Sequence, residues 1–352
     1  MFADLESVRR VADEGWGISP DFGDARAEWR AARTTCGVAE APFRVRLVAA
    51  GEDRLSFLQG MLSNDVKRLA AGRGCHAAFL SDTAKVVTDM RVYVEAERVL
   101  LETLAWCREP LRLGLERYLV ADDVELEPAD DDQPLLVLEG PGGEDVLRAV
   151  LPQLGSIAAE EYAHLRMADG IGVARASEVG GRGFIISGPP ERRDALLAAC
   201  LGAGAMRIGA RALTALRLEA GVPWARVDMD EDVLAMEMEL GSAISFTKGC
   251  YLGQETVERV AARGHVNRRR TVFAVDGALR QTLPCPVFAG DREVGRISSA
   301  GSSFLRDQVL GLGLLHVKAM NSEAPLHAGA GDAAVGCTPL ALPLAAAAAA
   351  GG

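Results

Sequence analysis

Two stretches of this chain repeat one local design, and that repetition constrains the fold more than any other feature. Residues 43–58 run through an apolar strand pattern, Gly51, the acids Glu52 and Asp53, and a helical pattern. Residues 135–150 run through a strand pattern, Gly140-Pro141, the acids Glu144 and Asp145, and a helical pattern. Acids in the first turn of a helix complement the positive end of its dipole. The repeat points to two related α+β subdomains, although strand–glycine–helix units are common enough for coincidence to explain it as well. Elsewhere, apolar runs of period two alternate with segments of helical period, which argues against an all-helical bundle and for an α+β fold.

Punctuation places the remaining elements. IGVARASEV and GFIISG flank Gly180-Gly181 as a hairpin, Pro189-Pro190 with Glu191 opens a helix, and residues 202–209 form a connector. A helix over 211–220 is closed by Gly221 and by Pro223. From Arg270 onward, short strands broken by Gly and Pro predict a small β-barrel or sandwich. The main domain boundary is expected near residues 264–270. Residues 1–30 read as a peripheral N-terminal segment, and 341–352 as a low-complexity alanine tail.

The chain carries 38 basic against 49 acidic residues, 38 − 49 = −11, so bulk nucleic-acid binding is not expected. Seven carboxylates crowd the eleven positions 122–132 and predict a solvated strand edge, since ligand spacing for a metal is lacking. The seven cysteines are scattered without a C-x-x-C pair, so neither a disulfide framework nor a metal cradle is predicted and a reducing cytoplasm fits best. Cys75-His76 is an isolated adjacent pair, read as structural. No apolar run is long enough to span a membrane, and a soluble, unprocessed monomer is the expectation.

The segment with most chemistry in it is KGCYLGQE, residues 248–255. Cys250 is expected just ahead of a helix N-terminus, where the dipole and Lys248 would both favour a thiolate; a small buried hydrophobe is the plainer alternative.

This segment resembles the signature of the YgfZ family of folate-binding proteins, relatives of the glycine-cleavage T-protein (aminomethyltransferase). Residues 57–65, FLQGMLSND, resemble the family's F-L-Q-G-x-x-S/T-N-D, and 216–223, LRLEAGVP, its R-x-E-A-G-x-P. Residues 263–269, RGHVNRR, resemble the stretch after the signature, and EVGRISSAG the turn-rich C-terminal barrel. The matches keep the family's order over about residues 40–320.

The resemblance implies a three-lobed ring: a folate-binding region over 31–263 made of two α+β subdomains, then a barrel over 264–340. It implies tetrahydrofolate or a one-carbon derivative as cofactor, with Asn64, Asp65, Met61 and Asp89 at the folate cavity and Glu219 as pterin anchor. A pterin offers an amino group and a ring N–H side by side, a donor pair that one carboxylate accepts as a fork. Glu219 is expected in the last turn of its helix, a placement unfavourable by about 0.3–1 kcal/mol, although a surface glutamate paired with an arginine explains it too. Arg263, with Arg268, Arg269 and Arg270, would hold the glutamate tail of folate or an acidic partner, or form a solvated hinge.

The T-protein Gly-Gly-x-x-Asp-Asp element corresponds here to residues 84–89, where Thr88 replaces one acid and the glycines are gone. That departure, together with Cys250 and Lys248 as the functional thiol and its neighbour, implies a YgfZ-like accessory factor for assembly or repair of iron-sulfur client proteins. It is then expected not to be an active aminomethyltransferase. The alternative is a folate-dependent one-carbon transferase of the T-protein type or a related demethylase.

Overall fold

The computed structural model describes residues 16–344 as two open sheets and a closed barrel. The first sheet runs in the order Arg73–Leu80, Val86–Val94, Arg98–Leu104, Arg44–Ala50, Glu125–Pro128, with every pair antiparallel. Successive strand residues point to opposite faces, and here the two faces differ in kind. One face packs Leu47, Met90, Val92 and Leu101 beneath helices Arg54–Met61 and Arg108–Glu116, which contribute Phe57, Leu58, Leu111 and Leu115. The other face carries buried charges, Arg44, Arg46, Arg91 and Glu102.

The second sheet runs Met206–Arg207, Gly37–Glu40, Gln133–Glu139, Gly183–Gly188, Gly172–Ala174, His164–Arg166, with only the first pair parallel. Helices Gly143–Val150 and Arg193–Gly202 cover its apolar face with Val146, Leu147, Leu196 and Leu197 against Leu138 and Phe184. Each strand–helix unit of the repeat thus serves its own sheet. The acids are placed differently in the two. Glu144 and Asp145 lie in the first turn of their helix, whereas Glu52 and Asp53 precede theirs and exchange hydrogen bonds with Asp123.

Six strands close the barrel in the order Arg268–Val275, Gln308–His316, Arg292–Ser303, Cys285–Ala289, Leu326–Ala328, Val335–Leu340, the last pairing back on the first. Helix Ala210–Ala220 lies between the sheets and the barrel and ends at Gly221, whose φ of 67° and closeness to Leu342 both exclude a side chain.

Charge joins the two sheets. Glu178, in the loop after Gly172–Ala174, accepts from Arg44 at 2.8 Å and from Arg91 at 2.7 Å, and Arg91 and Arg46 both pair with Glu102 at 2.9 Å. Burial alone would raise the Glu178 pKa, but the two arginines outweigh it and bring it down to about 2. Deleting one member of such a set leaves a buried charge unpaired, at a cost of about 3–5 kcal/mol.

Two expectations are corrected here. The acidic run is not wholly solvated: Asp132 is buried and pairs with Arg46 at 2.9 Å, with Arg98 at 3.0 Å and with Arg166. Nor is the described part of residues 1–30 peripheral. Trp16 is buried against Trp106 and Trp224, helix Ala25–Thr34 begins there, and buried Glu28 accepts the backbone N–H groups of Phe22 and Gly209. Residues 1–15 and 345–352, the rest of both terminal segments, lie outside the described residues.

Candidate functional site

Strand Val86–Val94 separates Thr88 from Asp89 by side. The Thr88 hydroxyl is fully buried, 3.0 Å from the Thr103 hydroxyl, and donates to the Asp89 carbonyl at 2.9 Å. Asp89 projects from the opposite side, 17% exposed, with its Oδ2 2.8 Å from His76 Nε2. Among the described residues its Oδ1 has no hydrogen-bond partner. Burial would raise the Asp89 pKa, but the His76 hydrogen bond and charge, then Arg44 and Arg91, hold it below the usual carboxylate range.

His76 is fixed at both ends, because its Nδ1 lies 3.3 Å from the Ser242 hydroxyl on the turn Gly241–Ala243. Two side chains pin that turn to the strand carrying His76. Asn64 Nδ2 donates to His76 O at 2.7 Å and Ser242 O at 2.9 Å, while Ser63 Oγ donates to Ala243 O at 2.6 Å and accepts from Ala78 N at 2.8 Å. His76 and Asp89 come together across a hairpin that pairs Ala78 with Asp89 and His76 with Arg91.

Several residues singled out from the sequence turn out to be occupied. Asn64 spends its whole amide on the contacts above and on accepting from Asp65 N at 2.8 Å. Asp65 accepts from Gln59 at 3.0 Å and pairs with Arg68 at 3.2 Å. Met61 packs at the margin of the first sheet's apolar core. Lys248 is turned inward and donates to the carbonyls of Gln59, Leu62 and Asn64, capping helix Arg54–Met61; burial brings its pKa down to about 8. Its ammonium therefore serves the helix end rather than Cys250, which corrects the expected pairing.

Cys250 itself is exposed, four residues ahead of helix Gln254–Arg263, so it is not a core hydrophobe. Arg263 ends that helix and is exposed. In the following basic run Arg268 pairs with Glu237 at 2.8 Å, while Arg269, half-exposed, and Arg270 pair with Glu239 at 3.5 and 3.1 Å.

Glu219 requires the clearest correction. It is buried, not on the surface, and its Oε1 accepts from Ser303 Oγ at 2.7 Å and Leu305 N at 3.1 Å. Its Oε2 accepts from Trp29 Nε1 at 2.8 Å and Arg33 at 3.3 Å. Four donors fill a carboxylate's acceptor positions, so although Glu219 borders a cavity with Arg33, Glu139 and Arg182, no fork is left for a pterin. The residue clamps the first helix, the central helix and a barrel hairpin together.

Donor groups suited to a flat heteroaromatic ring lie elsewhere. Trp16, Phe43 and Trp224 pack with Glu178 and Arg217 around a seam that has no room for a ring as it stands, and among the described residues both Trp224 Nε1 and Arg217 Nε are buried without a hydrogen-bond partner. Aromatic faces suit stacking on a flat ring, and unspent donors suit its acceptor atoms, such as the carbonyl oxygen of a pterin. The Trp16 indole now takes up that space, with its ring centroid 3.8 Å from that of Trp224. Ser242, Arg44, Arg91 and Glu178 went unread in the sequence, and His76 was read there as half of a structural pair with Cys75. A hairpin register drawn through residues 81–85 would have brought His76 to Asp89; nothing local marks the others. Among the described residues no helix is long and apolar enough to cross a membrane.

Comparison with known proteins places this geometry. The model of the GCVT N-terminal domain matches residues 9–248. An aminomethyltransferase of Rubrobacter xylanophilus is 27% identical over 308 residues, covering 87% of this chain and 82% of that protein. One from Chlorobium phaeobacteroides is 27% identical over 301 residues, covering 82% of each. The crystal structure of glycine cleavage system aminomethyltransferase T from Bartonella henselae superposes with a TM-score of 0.80 at 17% identity, covering 97% of both chains, and so shares the fold.

Proposed function

The chain belongs to the GCVT N-terminal domain family, and on that premise we propose that it is a folate-binding protein of the T-protein type in which Asp89 serves one-carbon transfer. The observation that carries this reading is the state of Asp89: one oxygen is held by His76 and the other has no partner among the described residues. A carboxylate kept ionised and half unspent is suited to face a developing cation on a folate nitrogen. Thr88, which argued against transfer in the sequence, sits on the other side of the strand and leaves this carboxylate in place.

Phe43, Trp224 and Arg217 are the residues whose chemistry suits the ring, with Trp16 moving aside. Bound tetrahydrofolate would supply the nitrogens that take up the one-carbon unit. Asp89 stays anionic, His76 fixes its orientation, and the charges of Arg44 and Arg91 favour the ionised carboxylate. The test is calorimetric titration with tetrahydrofolate, followed by assay of methylene-tetrahydrofolate formation from an aminomethyl-carrying lipoyl protein. Saturable binding with a loss of turnover in Asp89→Asn is expected. Absence of folate binding would overturn the whole reading, and full turnover in the variant would remove Asp89 from it.

Cys250 supports a second reading. It is the exposed member of seven free cysteines, four residues after Phe246, itself 51% exposed, which suits a YgfZ-like factor acting on iron-sulfur client proteins. Complementation of a deletion strain by Cys250→Ala separates the two. Full rescue removes the thiol from function and leaves the transfer reading standing.

A further inference from the structure

Ser242, His76 and Asp89 stand in a row, with Ser242 Oγ 3.3 Å from His76 Nδ1 and His76 Nε2 2.8 Å from Asp89 Oδ2. We propose that this row is a nucleophilic centre in which Ser242 attacks activated acyl groups, esters or thioesters, that approach from solvent. The inference uses no folate and does not depend on the reading above.

In the neutral imidazole with its hydrogen on Nε2, His76 donates to Asp89 Oδ2. That tautomer leaves the Nδ1 lone pair facing the Ser242 hydroxyl, the arrangement a general base requires. The order along the imidazole is the reverse of the serine proteases', but the roles depend on geometry and not on which ring nitrogen fills them.

The row is held rigidly. Asn64 ties the Ser242 carbonyl to the His76 carbonyl, Ser63 ties Ala243 to Ala78, and Ser245 N donates to Ser63 O at 2.9 Å. Three hydrogen-bonded stitches between a turn and a strand separated by more than 160 residues hold the hydroxyl opposite the imidazole. Ser242 is exposed, so an acyl carbon reaches it without rearrangement.

In the acylation step Ser242 Oγ bonds to the acyl carbon as its proton passes to His76 Nδ1. The bond from that carbon to the leaving oxygen or sulfur then breaks, and His76 returns the proton to the leaving group. Water attacking the ester by the reverse proton path releases the acid and restores the serine. Both amide hydrogens of Asn64 are committed, so this amide cannot hold the oxyanion, and a missing oxyanion donor costs about 10²–10³ in rate. Acylation and deacylation are both slowed by that loss, so turnover is expected to be low and the readout of choice is a covalent adduct with a strongly activated probe.

The full chain is treated with a fluorophosphonate probe, which forms a Ser–O–P bond with loss of fluoride, and the adducts are timed by peptide mass spectrometry. Ser242 is expected to label at least tenfold faster than every other serine, to lose that advantage in urea, and to slow at least tenfold in His76→Gln. Equal labelling of Ser242 and the other serines in the native protein would overturn the proposal, as would an undiminished rate in folded His76→Gln. Should that variant not fold, the ratio of native to unfolded labelling decides alone. Tetrahydrofolate titration of the same sample is a separate readout: its failure sinks the folate reading and leaves the serine result as it stands.

Discussion

Glu219, ending helix Ala210–Ala220, and Asp89, on strand Val86–Val94, are both carboxylates turned away from bulk water, and they differ in what their oxygens do. Glu219 accepts four hydrogen bonds from two other elements, helix Ala25–Thr34 and a barrel hairpin, whereas Asp89 spends one oxygen on His76. The first has nothing left to offer a ligand. The second is held charged and keeps a free oxygen. Burial and an unfavourable position on a helix do not by themselves mark a binding carboxylate; the number of donors already present decides.

The largest expected effect falls on the saturated partner. Glu219→Ala leaves Arg33 without its carboxylate and Trp29, Ser303 and Leu305 without an acceptor, and should cost about 3–5 kcal/mol of stability in urea unfolding. Tetrahydrofolate affinity, measured where the variant is still folded, should change little. A variant of wild-type stability that binds folate tenfold more weakly would break the comparison and return Glu219 to the site.

Asp89→Asn should act the other way round, lowering transfer about a hundredfold, mainly in kcat. The pH dependence has a definite sign. Asp89 is held below the usual carboxylate range, so wild type and variant should differ across neutral pH and converge only as acid takes the wild type through that lowered pKa. Convergence near neutrality would mean that the wild-type carboxylate is already protonated there.

Asn64 sharpens the contrast from the structural side. Its amide joins strand Arg73–Leu80 to the turn Gly241–Ala243 through one half-buried and one exposed carbonyl, so Asn64→Ala should cost about 0.5–1.5 kcal/mol. The loss should appear in thermal unfolding, and hydrogen exchange should quicken at residues 241–245. An unchanged melting curve would show that the stitch bears no load.

What the sequence made legible follows from range. The Gly221 helix end and the punctuated barrel strands are set by backbone preferences within a few residues, and the structure has both; strands Gly172–Ala174 and Gly183–Gly188 pair antiparallel, but the pairing stops at Ala174 and Ile185, so their connection is longer than a turn at Gly180-Gly181. Partner choice is not local. Arg44 and Glu178 are 134 residues apart, and KGCYLGQE could not reveal that Lys248 turns inward to cap a helix while Cys250 turns outward. The motifs located segments correctly yet assigned roles to side chains whose hydrogen bonds only the folded chain determines.

The smallest expected effect tests the side of the strand. If Thr88 had stood in for a catalytic acid, restoring or removing polarity there would alter transfer. Its hydroxyl instead meets Thr103 and the Asp89 carbonyl on the helix-covered side. That carbonyl also receives the Thr103 hydroxyl at 2.9 Å, so Thr88→Val removes one of two donors and leaves no acceptor bare. The cost should be about 1 kcal/mol or less, with transfer and folate affinity at wild-type values. Thr88→Asp should instead destabilise strongly, by burying a charge beside Cys107 and Thr103, where Thr88 is fully buried. A gain of transfer activity in Thr88→Asp, in a protein still folded, would show that the two sides communicate and that the missing acid was the limiting group after all.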